Sequence, residues 1–309
     1  MRGSTSFEPG SHRIEVRFVR HCGRFGDFGR TAANGRARDR IATGGRRYRV
    51  AMDERGQWLT DRLVLVTGGG RGLGSSIARA FAGQGARVVL NYRRSRERAE
   101  ALAAEIGDRA LAVQADVTDE QQVHAMFETI AQRFDRPVTT VVNNALADFS
   151  FNGESRSHAG EIGWGEFDAQ FRGSVSGALH TTRAALPQLR AQGTGQIINI
   201  GTNLFQRPVV PYHDYTAAKA ALLSLTRTFA ADLGPDGITV NMVSGGLLRT
   251  TDASADTPEE VFDGIAQATP LRRVVTPEEF ADAVLFFASP WARAVSGQNL
   301  VVDGGLVNG

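Results

Sequence analysis

The stretch Thr67-Gly68-Gly69-Gly70-Arg71-Gly72-Leu73-Gly74 decides how this chain is read, because of what stands on either side of it. The apolar run Leu63-Val64-Leu65-Val66 leads straight in, and residues 75–84 carry apolar side chains at helical spacing. Glycines there allow a tight turn and let the backbone approach a pyrophosphate. The following helix N-terminus adds free N–H groups and a favourable dipole. A glycine-rich turn by itself is weak evidence, since glycine runs also build ordinary loops. A strand before it and a helix after it give it meaning.

Outward from this loop the pattern repeats. Apolar runs at residues 63–66, 88–90, 110–113, 138–142, 196–200, 238–243 and 299–302 predict buried strands. Between them, residues 75–84, 95–106, 120–134, 167–189, 216–233 and 277–288 predict helices. Buried strands alternating with helices imply right-handed βαβ units and a parallel sheet covered on both faces. The expected fold is α/β: a single-domain Rossmann fold with a doubly wound, seven-stranded parallel sheet, occupying residues 52–309. Neither an internal repeat nor a second domain is read.

Residues 1–51 read as a separate segment. They carry 12 arginines against 4 acidic residues, a net of +8, whereas residues 52–309 net −6. The high pI of about 9.0 therefore belongs to the leader. A nucleic-acid binder carries its basic patch on the folded unit, so nucleic acid is excluded as a partner. The leader is rich in Gly and Arg and lacks periodicity, which predicts a disordered tail or an upstream translation artefact, with Met52 opening the folded part. An Arg-rich targeting or anionic-surface-binding arm is the other reading. No run approaches the ~20 apolar residues of a membrane span, and no apolar signal segment is read. The single cysteine, Cys22, permits neither an intrachain disulfide nor a cysteine-built metal site, and fits a cytoplasmic location. His124, His158, His180 and His213 lack metal-ligand spacing, so no metal is expected.

The second strand ends at Asn91-Tyr92-Arg93-Arg94. An NAD enzyme places Asp or Glu near this point to bind the ribose 2′-hydroxyl. Here Arg93 and Arg94 stand instead, with Arg71 as a third cation. This favours the 2′-phosphate of NADP(H), the other reading being a solvated arginine pair at a helix start. Asp116 and Val117, after the third strand, are expected beside the adenine. Asn143, Asn144 and Ala145, after the fourth, are expected under the cofactor.

Thirty-four arginines accompany one lysine, Lys219. It stands four residues after Tyr215 in Tyr215-Thr216-Ala217-Ala218-Lys219, on the same face of a predicted helix. Arg and Lys are not interchangeable in a tight site, because an ammonium is a compact point charge. Reducing a carbonyl needs a hydride on carbon and a proton on oxygen. A phenol supplies that proton, and a neighbouring ammonium is expected to lower its pKa. Thr202, at the end of the fifth strand, offers a hydroxyl to polarise the substrate oxygen.

Together these residues resemble the short-chain dehydrogenase/reductase family over roughly residues 61–307. They are the TGxxxGxG loop (Thr67, Gly68, Gly72, Gly74), Asn143-Asn144-Ala145, Thr202, the YxxxK pair Tyr215/Lys219 and Val301-Val302-Asp303-Gly304-Gly305. The wording of residues 91–95, 271–287 and 297–305 is most similar to 3-oxoacyl-thioester (3-oxoacyl-ACP) reductases. The resemblance implies a catalytic set of Tyr215, Lys219, Thr202 and Ser174. It implies a cofactor site that includes Thr67, Gly68, Gly70, Arg71, Gly72, Leu73, Gly74, Asn91, Gly246 and Thr250. It also implies a small-molecule carbonyl or alcohol substrate, and a homotetramer or homodimer built through the helices at 167–189 and 216–233 and the last strand. Residues 247–275 match the family's substrate-covering loop.

The chain departs from the family pattern at four points. Thr202 replaces the usual serine, and Ser174 replaces the asparagine of the proton relay. Leu146 follows Asn143-Asn144-Ala145 where the family has Gly, and Gly245-Gly246 replaces Pro-Gly, which is expected to loosen that turn. Carrier-protein reductases place basic residues where this chain has Gly193 and Asp236, which points to a small ketone, an acyl-CoA or another free carbonyl. Arg207 and Arg249 are nearby cations. Phe149, Phe151, Leu204, Phe205 and His213 are candidates to line the cleft, ordinary core packing being the equal alternative for the first four. The expected activity is NADP(H)-dependent reduction of a ketone or 3-oxoacyl-type carbonyl. An alcohol dehydrogenase running toward oxidation, or a cofactor-binding sensor with little turnover, are the alternatives.

Overall fold

Seven strands pair side by side, all parallel. They are β1 (Leu63–Val66), β2 (Arg87–Tyr92), β3 (Ala110–Gln114), β4 (Thr140–Asn143), β5 (Gly195–Thr202), β6 (Ile238–Gly245) and β7 (Asn299–Val302), in the order β3-β2-β1-β4-β5-β6-β7. The helices are α1 (Gly72–Gly83), α2 (Arg96–Ile106), α3 (Glu120–Arg133), α4 (Trp164–Phe171), α5 (Gly177–Gln192), α6 (His213–Leu233), α7 (Glu259–Ala268) and α8 (Pro277–Ala288). This is the doubly wound Rossmann-type sheet expected from the sequence. The computed structural model describes residues 57–146, 149, 151, 153–249 and 251–307. The leader 1–51, the lead-in from Met52 and Thr250 lie outside the described residues.

Successive strand residues point to opposite faces, so each strand feeds two cores. Val64, Val66, Val88 and Leu90 pack with Ile77 and Phe81 of α1 and with Phe280 and Val284 of α8. Leu63, Leu65, Val89 and Val113 pack with Val123, Met126, Phe127 and Ile130 of α3 and with Leu189 of α5. This two-sided burial is why the strands read as unbroken apolar runs.

Two boundaries differ from expectation for local reasons. The strand read from residue 138 starts at Thr140, because the Val138 N–H donates to the Gln188 side chain at 2.7 Å. The single helix read over 167–189 is two helices, α4 and α5, joined by a π turn at Arg172–Ser176, where the Gly177 N–H donates to Arg172 O. Gly and Ser in this turn are poor helix formers, and π turns concentrate at functional sites. A Cβ on Gly177 would lie 2.8 Å from Val117 Cγ2, so the helix start is pressed onto the segment after β3.

The chain leaves β1 for β2 and β3 on one side and returns to β4 on the other. The crevice beyond the carboxyl ends of β1 and β4 is the switch point, where ligands bind in open α/β sheets.

Candidate active site

The glycine loop is fixed at that crevice by side chains of its neighbours. Thr67 Oγ1 donates to Val142 O at 3.3 Å and accepts from the Asn144 and Ala145 N–H groups at 2.9 and 3.0 Å. Asn91 Oδ1 accepts from the Gly68 N–H at 3.3 Å, while its Nδ2 donates to Ala115 O at 2.9 Å. Asn144 Nδ2 donates to Thr67 O at 2.9 Å. The loop itself is tightly curled: a Cβ on Gly74 would sit 2.2 Å from Gly68 O, and Gly68 has φ +63. Leu73 packs on the α1–α8 core. The Arg71 side chain makes no capping hydrogen bond to the start of α1.

The basic residues are distributed unequally. Arg93 pairs with Asp116 at 3.5 Å, and the Asp116 carboxyl is held below its usual range. Burial raises that carboxyl, but its bonds from Thr118 and its pairing with Arg93 outweigh this. Arg94 is exposed. Arg71 pairs with Asp252, as does Arg98 of α2, which the sequence reading did not single out. Asn143 is held by side chains of the neighbouring elements. Its Nδ2 donates to Asn199 Oδ1 at 2.9 Å, its Oδ1 accepts from Thr181 at 2.5 Å, and Asn199 goes on to Thr226 at 2.8 Å. Asn143 thus ties β4, β5, α5 and α6 together.

Thr202, Tyr215, Lys219 and Ser174 are all buried, and they converge at the ends of β5, α6 and the π turn. The Thr202 and Tyr215 hydroxyls share a hydrogen bond. Burial pushes the phenol up to about 12, against the pull of that bond and with a further rise from Tyr212. Lys219 Nζ lies 5.7 Å from the Tyr215 ring centre and donates to Ile200 O at 2.8 Å. Burial lowers Lys219 to about 8. The acidification of the phenol expected from the ammonium is not seen: desolvation sets the direction, and the pull downward comes from Thr202. Ser174 Oγ is buried without a hydrogen-bond partner, and it lines a cavity of about 10 Å³ together with Lys219, Thr67, Asn143, Ala145 and Val117.

The cleft is aromatic. Phe149 stacks on Tyr215 with centroids 4.7 Å apart, and Phe151 meets the same ring edge-on at 5.5 Å. Three partners were missed in the sequence. The Tyr212 hydroxyl accepts from the Gly153 N–H at 2.8 Å. Arg156 lies 4.6 Å from the Phe149 ring centre and donates to buried Asp214 at 2.6 Å. The one available signal was an acid directly before Tyr215. His213 is exposed at the start of α6, and Phe205 packs on Leu222 and Met242 instead of lining the cleft. Arg207 donates to Leu306 O at 3.2 Å, Arg249 pairs with Glu259, and Asp236 pairs with Arg190 at 2.7 Å.

Gly245 and Gly246 both have ordinary φ. A Cβ on Gly245 would meet the Phe280 ring at 2.8 Å, and one on Gly246 would meet Asn203 Nδ2 at 2.9 Å. Asn203 donates to Asp303 at 2.8 Å, and Asp303 also accepts from the N–H groups of Gly305, Leu306 and Val307. The C-terminal Asp-Gly-Gly motif therefore braces the segment that follows Thr202. Among the described residues, no cluster of three or more His, Cys, Asp or Glu side chains is placed to hold a metal. No helix among them is long and apolar enough to cross a membrane.

The family model described as enoyl-(acyl carrier protein) reductase matches residues 68–307. A versicolorin reductase of Emericella nidulans is 34% identical over 262 residues, covering 80% of this chain and 96% of its own. A 3-oxoacyl-[acyl-carrier-protein] reductase of Synechocystis is 35% identical over 255 residues, 81% of this chain and 98% of its own. A short-chain type dehydrogenase/reductase of Picea abies is 34% identical over 258 residues, 81% and 93% of the two chains. Fold and site thus define an oxidoreductase of Rossmann type that works with a nicotinamide cofactor. The chain belongs to the short-chain dehydrogenase/reductase family.

Proposed function

We propose that this protein is an NADP(H)-dependent reductase that converts a ketone or 3-oxoacyl-type carbonyl to a secondary alcohol, with Tyr215 as proton donor. The observation that carries this reading is the buried Tyr215 hydroxyl bonded to Thr202, one helical turn from Lys219. The cofactor fits the residues present: the tightly curled loop at Gly68–Gly74 and the uncapped start of α1 suit a pyrophosphate, and arginines stand where an NAD enzyme carries an acid. Leu73, Val117, Asn144, Gly246 and Thr250 complete the proposed cofactor site, with Asn143 supporting it from behind.

When bound, the reduced nicotinamide supplies a hydride to the carbonyl carbon. Thr202 orients the carbonyl oxygen, and Tyr215 gives that oxygen its proton. A phenol near pKa 12 stays protonated at neutral pH, so it is poised as an acid. Lys219, with its pKa near 8, is mostly protonated and restores the phenolic proton. The small cavity between Ser174 and Lys219 suits one water, which gives Ser174 the relay position. The retained Tyr215, Thr202 and Lys219 favour turnover over a sensor role.

The substrate is a small ketone or acyl-CoA, since Asp236 is held by Arg190 and Gly193 offers no charge to an acidic carrier protein. The similar versicolorin and 3-oxoacyl reductases agree with a carbonyl substrate. A cytoplasmic homotetramer or homodimer belongs to the same reading, and light scattering checks its size. The deciding experiment follows NADPH absorbance across a ketone panel with wild type and Tyr215→Phe. The variant should bind NADPH normally and lose ~10²-fold or more in rate. An undiminished rate removes Tyr215 from the mechanism.

A further inference from the structure

Two guanidinium groups from different elements converge on one carboxylate oxygen. Asp252 Oδ2 accepts from Arg71 Nη1 at 3.2 Å and, at closer range, from Arg98 Nη1. The arginines meet because the glycine loop packs on α2: a Cβ on Gly70 would lie 2.7 Å from that of Ala99. Asp252 is aimed by its own turn. The Thr251 N–H donates to Ser254 Oγ at 2.9 Å, and the buried Ser254 Oγ donates to Leu248 O at 2.8 Å. The turn lies against the start of α1, where a Cβ on Gly72 would be 3.9 Å from Asp252 N. A carboxylate from the segment after β6 thus rests on cations beside the glycine loop. An oxyanion gripped by two arginines is also how phosphate is recognised.

We infer that Arg71 and Arg98 form the seat of the cofactor's 2′-phosphate, and that Asp252 is an internal anion that occupies this seat and yields it when NADP(H) binds. This rests on the NADP(H) reading above. Arg98 supplies the second cation because Arg93 is already engaged by Asp116. Displacement is easy, since the side chains of Arg71 and Arg98 are 56% and 64% exposed and Asp252 is 34% exposed. Exposed ion pairs of this kind are weak and screened by salt, whereas a 2′-phosphate brings more charge and more acceptor oxygens. NADH has no group that competes for this seat, so Asp252 tempers the binding of the phosphorylated cofactor and leaves that of NADH alone.

The test is equilibrium titration of the full chain with NADPH, NADH, 2′,5′-ADP and 5′-AMP, read calorimetrically, for wild type, Arg98→Gln, Asp252→Asn and Asp252→Ala. Arg98→Gln should weaken NADPH and 2′,5′-ADP by ~10-fold and leave NADH and 5′-AMP within ~2-fold. Both Asp252 variants should tighten NADPH by ~3- to 10-fold at low salt, an advantage that shrinks as salt is added. Equal weakening of NADPH and NADH by Arg98→Gln overturns the inference, as do Asp252 variants that bind NADPH no better than wild type. A wild type that prefers NADPH, with that preference unchanged in Arg98→Gln, refutes the seat alone. A wild type that binds NADH as tightly as NADPH refutes the NADP(H) reading beneath it.

Discussion

Replacing Lys219 by methionine makes the electrostatics of the site measurable through stability. Lys219 is buried, and its pKa falls from 10.5 to about 8, so folding disfavours its charged form. Below pH 8 the ammonium is charged in both states and the folded state bears the whole penalty, about 3 kcal/mol by order of magnitude. Between pH 8 and 10.5 the unfolded chain still holds the proton that the folded chain has released. The unfolded state then binds more protons, so stability rises with pH across that window. The gain between pH 7 and pH 10 is about 2.5 kcal/mol. Tyr215 works in the opposite sense, since its raised pKa removes stability as pH climbs from 10 toward 12. That contribution is common to wild type and Lys219→Met, so it largely cancels in their difference. Methionine also leaves Ile200 O without its 2.8 Å donor, a cost of about 1–3 kcal/mol that does not vary with pH. Urea unfolding of both proteins at pH 7, 8, 9 and 10 should therefore show wild type gaining on the variant by about 2–3 kcal/mol over the series. A flat difference would mean that the ammonium is solvated, and the burial of the Tyr215–Lys219 pair would have to be abandoned.

The other expected outcomes concern the loop and the relay. Gly74→Ala drives a Cβ to 2.2 Å from Gly68 O, against backbone that has no room to move. It should cost about 1–3 kcal/mol in urea unfolding and abolish NADPH binding in a titration. Ser174→Ala removes a buried hydroxyl with no partner, so the thermal midpoint should hold or rise by the equivalent of about 1 kcal/mol. Its kcat should fall by about tenfold and its pH profile should shift if that hydroxyl holds the relay water. Unchanged kinetics would leave Ser174 as packing only.

Much of this was legible because the sheet is buried on both faces. The run Leu63–Val66 is buried at every position, so its limits could be read directly; the edge strand Asn299–Val302 is only partly covered and was read from its apolar residues alone. The glycine loop was legible because Gly74 leaves no space for a Cβ, a constraint that fixes residue type. Tyr215 and Lys219 stood out because the one lysine falls four residues after a tyrosine in a chain with a glycine loop, and both side chains are buried. Asp252 was not, because its position depends on a turn anchored by Ser254 to Leu248, and nothing in the sequence near 252 points to residues 71 and 98. The Arg156–Asp214 pair was hidden for the same reason: its partners lie 58 positions apart and meet only across the folded cleft. Asn143 was read from its place after β4 as a cofactor neighbour; that its side chain also bonds Asn199 and Thr181 could not be seen in the sequence.

The departures from the family pattern make physical sense as local exchanges of room and stiffness. Gly245 ends β6 opposite Thr202, and the Phe280 ring fills the space where a side chain at 245 would lie. A bulkier residue there would push on a ring that is itself 1% exposed, so the glycine belongs with this phenylalanine. At Thr202 the extra methyl restricts χ1, and the Leu204 N–H donates to its hydroxyl at 3.3 Å. The hydroxyl that meets Tyr215 is thereby held by sterics as well as by hydrogen bonds, which a serine would not provide. Ser174 goes the other way: a short side chain in a π turn leaves a water-sized space beside Lys219. On the proposed mechanism, orientation is thus fixed at the hydroxyl that aligns the carbonyl, and room is left where the proton moves. That division requires Thr202→Ser to disturb the alignment of substrate while leaving the relay, and the pH dependence it governs, as it was.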